Sequence, residues 1–122
     1  MNTRPTKPLY APIPARAIGD DNLSSLDLRV LAVIAAHDRL GANGVGCYAN
    51  HNRLAEIVGC HLKSLSRSLR NLGEGGYIEV APHPLNRRLR VYRVLYNDRD
   101  HAIMKASRTA IGSSPVTNAG NQ

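Results

Sequence analysis

Leucines stand at positions 62, 65, 69 and 72, three, four and three residues apart, and just beyond them the hydrophobic period changes. Spacing of that kind puts apolar side chains on one face of an α-helix. The Gly73-Glu74-Gly75-Gly76 cluster stops the helix. From Tyr77 onward the period is two. Tyr77–Val80 reads as one strand, Ala81–Asn86 with its two prolines as a turn, and the alternation from Arg88 to Leu95 as a second strand. A striped helix running straight into a hairpin leaves few architectures open. The residues upstream narrow them further.

Two more helices precede the striped one. Ser24 with Asp27 three residues later fits a capping pattern, and Leu26, Val30, Leu31 and Ile34 recur at helical spacing, predicting a helix over 25–38. Gly41, Gly44 and Gly46 mark a loop, and Cys47–Tyr48 reads as a very short strand. Asn50 is a natural N-cap for a second helix, with Leu54, Ile57 and Val58 as its stripe and Gly59 as its stop. The expected fold is mainly α with a small β-hairpin: a three-helix core plus wing. The expected organisation is a proline-rich arm over 1–19, extended and without helix through residue 16, the folded domain over 20–96, and a partly disordered tail over 97–122. Leu9, Tyr10 and Ile13 are candidates to anchor the arm, and a short helix is expected around Asp100–Ser107. The core must be aliphatic, because the chain of 122 residues has no Phe, no Trp and five Tyr.

Charge is unevenly placed. The net charge is +7, and residues 61–93 alone carry +5, from seven basic residues against Glu74 and Glu79. Arginine outnumbers lysine by 13 to 3, and guanidinium forks suit phosphates and guanine edges. A basic bias of this kind points to a polyanionic partner. On the third helix Arg67 falls almost opposite the leucine stripe. Lys63, Ser64, Arg70 and Asn71 flank it, and Ser66 and Ser68 lie on the borders. Arg87, Arg88 and Arg90 cluster near the hairpin tip, while His51 and His61 open the second and third helices. Two helices joined by a turn of about three residues, the second basic, followed by an arginine-rich hairpin, form a winged helix-turn-helix pattern.

The stretch from Asn50 to Ile78, with "Leu-Ala-Glu-Ile-Val-Gly", "Lys-Ser-Leu-Ser-Arg" and the exit "Leu…Gly-Tyr-Ile", resembles the core of bacterial winged helix-turn-helix domains. These include MarR-like regulators and the helix-turn-helix domains of plasmid and phage replication proteins. The resemblance covers about residues 20–95. It implies a tri-helical core with a recognition helix in the major groove and a wing on the neighbouring backbone or minor groove. Together, residues and resemblance give an expected double-stranded DNA binder, a small transcription regulator acting as a repressor. The alternatives are the DNA-binding module of a replication initiator and a winged-helix protein-interaction module. The expected DNA-contacting residues are Asn50, His51, His61, Lys63, Ser64, Arg67, Arg70, Asn71, Arg87, Arg88 and Arg90, with Arg67 reading bases and Arg88 and Arg90 on the backbone. A homodimer is compatible with the pattern.

Several classes are expected to be absent. No paired carboxylates, Ser-His-Asp arrangement or Walker loop is in evidence, so no enzyme is expected and no cofactor. Cys47, His51, Cys60 and His61 lack the paired spacing of a zinc site, so no metal is expected either, and the two thiols are expected to be reduced. No apolar run approaches the roughly 20 residues that cross a bilayer, and the first ten residues have no secretory pattern. The expected location is cytoplasmic, with no membrane partner.

Overall fold

The computed structural model describes residues 11–38 and 46–111. In chain order these form α1 (Ala15–Ile18), α2 (Ser25–Asp38), α3 (His51–Val58), α4 (Leu62–Glu74), β1 (Ile78–Pro82), β2 (Arg90–Val94) and α5 (Asp98–Ile111). Expectations resting on Leu9, Tyr10, Gly41, Gly44 and the last eleven residues lie outside the described ones. None of the helices described is long and apolar enough to cross a membrane.

Local chemistry starts and stops the elements where the side chains dictate. At α2 the Ser24 N–H donates to the Asp27 carboxylate (3.0 Å) and the Asp27 N–H donates back to the Ser24 hydroxyl (3.0 Å). This reciprocal cap gives the buried Asp27 side chain a partner. At α3 the Asn50 side chain accepts from the Arg53 N–H (2.8 Å), and Gly59 closes the helix in the left-handed conformation, φ 80°. Behind α4, Gly76 (φ 79°) turns the chain and the Tyr77 N–H returns to the Leu72 carbonyl (2.9 Å).

Between the helices the core is aliphatic, as expected, and two tyrosines join it at the hairpin base. Val30, Leu31, Ile34 and Ala35 of α2 meet Leu54 of α3, Leu65, Leu69 and Leu72 of α4, and Tyr77, Ile78, Tyr92 and Val94 at the hairpin base. β1 and β2 pair antiparallel with Ile78 opposite Val94 and Pro82 opposite Arg90. The first strand therefore runs two residues further than the alternation indicates, into the segment expected as a turn. A proline is tolerated there because it ends the ladder. Asp38, at the end of α2, keys the hairpin to the helices by accepting from the Val94 N–H (2.9 Å).

Cys47 adds a short third element to the sheet edge. Its N–H donates to the Tyr92 carbonyl and the Tyr92 N–H to the Cys47 carbonyl, both at 2.8 Å. Gly46 makes this approach possible. It has φ +116°, and a Cβ there would sit 2.7 Å from Val91 Cγ1 and 3.0 Å from the Tyr92 carbonyl oxygen. Gly46→Ala should therefore cost about 2–4 kcal/mol, from a strained backbone plus overpacking. Denaturant unfolding checks this; an unchanged midpoint would mean the two segments have room to part.

The chain ends depart from expectation. The arm is not helix-free through residue 16: one helical turn forms directly after Pro14, where a proline's missing N–H is not needed. Ala15 and Ala17 of that turn are buried. The C-terminal helix spans Asp98–Ile111, longer than the short helix expected near Asp100–Ser107. Its anchor is Arg16, 84 positions away in sequence. The Arg16 N–H donates to Asp100 Oδ1 (2.8 Å) and its guanidinium pairs with Oδ2. The same guanidinium donates to the carbonyls of Gly76 (2.8 Å) and Leu95 (3.2 Å) and lies 4.7 Å over the Tyr77 ring. Burial works to raise the Asp100 carboxyl, but the backbone N–H groups of Arg16 and Asn97 and the guanidinium charge outweigh it, and the group stays below its ordinary value. The Tyr77 hydroxyl donates to Asp20 (2.6 Å) and is pushed up to about 12 by burial and by that carboxylate.

Candidate nucleic-acid interface

Three residues, Gly59 to His61, separate α3 from α4. The left-handed Gly59 makes so short a connection feasible: its N–H and that of Cys60 both return to the Ala55 carbonyl, at 2.8 and 3.0 Å. Both helices pack on α2, leaving one flank of α4 outside.

The buried arc of α4 comprises Leu65, Ser68, Leu69 and Leu72. This corrects the stripe in one respect. Leu62 is 47% exposed and Ser68, placed on the border by the spacing, is 3% exposed. Leu62 is the first residue of the helix and overhangs the core, so it follows the stripe without sharing its burial. At 100° per residue the change turns the helix by about 30° relative to the leucine spacing. Lys63 moves to the middle of the outward arc, with Arg67 and Arg70 about 30° to either side of that middle. Asn71 is exposed nearer the border, and Ser64 is half-buried. Leu62, Lys63, Ser66, Arg67 and Arg70 together line one shallow outward surface. Ser66, small and exposed, belongs to this surface rather than to its border.

The remaining expected residues divide by their partners. Asn50 is exposed, but its side-chain oxygen is engaged as the α3 cap. His61 occupies the N-cap position of α4 without a side-chain cap bond and is exposed. His51 is half-buried, and its Nε2 shares a 2.8 Å hydrogen bond with the Tyr92 hydroxyl. Burial, then the nearby Arg90 charge, holds its imidazole below the ordinary value, so it is neutral near pH 7. Arg90 also reaches the Tyr92 hydroxyl, whose pKa burial nevertheless raises. The His51–Tyr92 hydrogen bond thus ties the wing to the start of α3. Nothing in the local sequence pattern marks Tyr92, the shared partner, as more than packing. An open cleft between the start of α3 and the wing is lined by Tyr48, Asn50, His51, Arg88, Arg90 and Tyr92. Arg87 and Arg88 are exposed on the loop, and their guanidinium groups make no hydrogen bond or ion pair among the described residues; the same holds for the side chains of Lys63, Arg67 and Arg70.

The wing loop, residues 83–89, is internally braced. The His83 N–H donates to the Leu89 carbonyl (2.9 Å), the Leu89 N–H to the Asn86 carbonyl (3.0 Å), the Leu85 N–H to His83 Nδ1 (3.0 Å) and the Arg88 N–H to Asn86 Oδ1 (3.2 Å). Tyr48 meets the His83 ring edge-on at 5.1 Å. Elsewhere, no three His, Cys, Asp or Glu side chains gather as a metal site among the described residues. Cys47 is buried, and burial pushes its thiol up.

A helix-turn-helix domain family matches residues 21–78. No curated protein matches the chain. Among solved structures, a point mutant of MepR from Staphylococcus aureus is similar over 82% of this chain and 66% of its own, at 13% identity and a TM-score of 0.52. RV1404 from Mycobacterium tuberculosis is similar over 86% of this chain and 71% of its own, at 20% identity and a TM-score of 0.52. The chain thus spans about two thirds of the length of each, and the likeness is one of fold.

Proposed function

We propose that the chain is a sequence-specific double-stranded DNA-binding transcription regulator; the match of a helix-turn-helix domain family to residues 21–78 and the β1–β2 hairpin that follows as a wing support this reading. The observation that carries this reading is the outward arc of α4, where Lys63, Arg67 and Arg70 stand exposed with no protein partner among the described residues. A helix whose inner face is leucine and whose outer face is unpaired cation and small hydroxyl is built to enter the major groove. The wing adds Arg87 and Arg88 for phosphates or the minor groove. The chain acts by occupying DNA, and its chemistry is recognition rather than catalysis.

The division of labour is testable. Arg67→Ala should cost about 1–3 kcal/mol on the selected site and flatten discrimination between matched and mismatched duplexes. Arg87→Ala with Arg88→Ala should weaken all sequences alike. Competition binding separates the two; equal losses on both duplexes for Arg67→Ala would remove it from base readout. Failure of the wild-type chain to bind any duplex at low salt would refute the function.

A further inference from the structure

The wing ends in a residue that the DNA-binding reading has not used. Leu85 is 92% exposed, more than any other large apolar side chain described. A single exposed leucine is ordinary on a surface. This one is held differently. It follows Pro84 in a loop closed by hydrogen bonds from His83, Leu85, Arg88 and Leu89, and braced from below by Tyr48 against His83. The backbone is therefore organised around a side chain that packs on nothing. Its neighbours are Arg87 and Arg88, both exposed and unpaired among the described residues. An apolar tip flanked by guanidinium groups does not suit a hydrophobic protein groove, which would have to desolvate those charges. It suits a polyanion that itself contains an apolar interior.

We propose that Leu85 is a wedge that the wing drives between base pairs from the minor groove, unstacking one step and bending the duplex. The inference rests on the DNA-binding reading above and deepens it. Stacked bases are the apolar interior, and aliphatic wedges of this kind open minor-groove steps in other architectures. Arg87 and Arg88 hold the phosphates on either side of the opened step. The braced loop means that little conformational entropy is lost when the wedge enters. Pyrimidine–purine steps unstack most readily, so the wedge confers a preference at a position where no base edge is read.

The test uses the full chain and a site recovered by selection from random duplexes. 2-Aminopurine is placed at successive steps, and donor and acceptor dyes on the duplex ends. Wild type should raise the fluorescence at one step outside the α4 footprint and shorten the end-to-end distance. Leu85→Ala, which removes no packing and so leaves the fold intact, should still bind but leave the base stacked and the duplex straight. It should also lose the preference for a TA or CA step by about tenfold, the ordinary cost of one poor base pair. Leu85→Met should restore the unstacking. Arg88→Ala should weaken binding while keeping the fluorescence change at saturation. A wild-type complex without any unstacked step overturns the proposal, as does a Leu85→Ala complex that bends DNA like the parent. Leu85-dependent binding to anionic lipid vesicles with duplex stacking untouched also overturns it. If no duplex is bound at low salt, the absence of a complex marks failure of the DNA-binding reading itself, and the wedge falls with it.

Discussion

Leu65→Ala is expected to remove about 3–5 kcal/mol of stability, the upper part of the range for a buried leucine. Leu65 is wholly buried on the inner arc of α4, in one cluster with Ile34 of α2 and Leu54 of α3. Between α2, α3 and α4 the core is made of aliphatic side chains, and three close-packed helices have little slack to close over a missing isobutyl group. A domain of this size has only about 5–15 kcal/mol in total. The variant should melt far below the parent and lose DNA binding in proportion to the unfolded fraction. Arg70→Ala, one face away and exposed to solvent, should keep the parental melting temperature and weaken DNA binding. Thermal melts of both, with binding measured below the transition, check the assignment. The opposite pattern would mean that α4 presents its other face.

DNA affinity should collapse with salt. Lys63, Arg67, Arg70, Arg87 and Arg88 are five exposed cations with no protein partner among the described residues. Four or five neutralised phosphates give a slope of about −3.6 to −4.5 for log K against log salt, so that binding weakens about 150- to 500-fold between roughly 50 and 200 mM. Arg87→Ala with Arg88→Ala should flatten the slope by about 2, one unit for each phosphate no longer neutralised. Fluorescence titrations at four salt concentrations measure it. A slope near zero would leave no electrostatic attraction to DNA to explain.

Much of this fold is written locally and is legible from the residues alone. The Ser24–Asp27 cap, the Asn50 cap, the Gly59 stop and the period change at Gly76 each involve residues a few positions apart, where backbone geometry leaves little freedom. The outward residues of α4 follow from the leucine spacing to within about 30°. The discrepancy lies at Leu62, because a stripe gives direction around a helix and says nothing about how far along its axis the core extends. Pairings that span the sequence are out of reach. Asp38 with Val94, Gly46 with Val91, and Arg16 with Asp100 are meetings that no local pattern announces. One local sign does mark the C-terminal helix. Asn97 and Asp100 repeat the spacing of Ser24 and Asp27, and the Asp100 carboxylate accepts from the Asn97 N–H (2.9 Å) as a start of α5 should. His51 reads as a phosphate donor because it opens a helix. Its tie to Tyr92 depends on where β2 returns, 41 residues later.

The Arg16 guanidinium holds Asp100, Gly76 and Leu95 at once, and so joins the arm, the exit of α4, the exit of the hairpin and the start of α5. In a mutational scan the two ends of the described chain would therefore not behave as independent regions. Trimming the arm through residue 16 unseats a helix roughly 80 positions downstream, and neutralising Asp100 frees the arm. Hydrogen exchange would report the two ends opening together, in one cooperative event, even though each alone has the look of a dispensable extension.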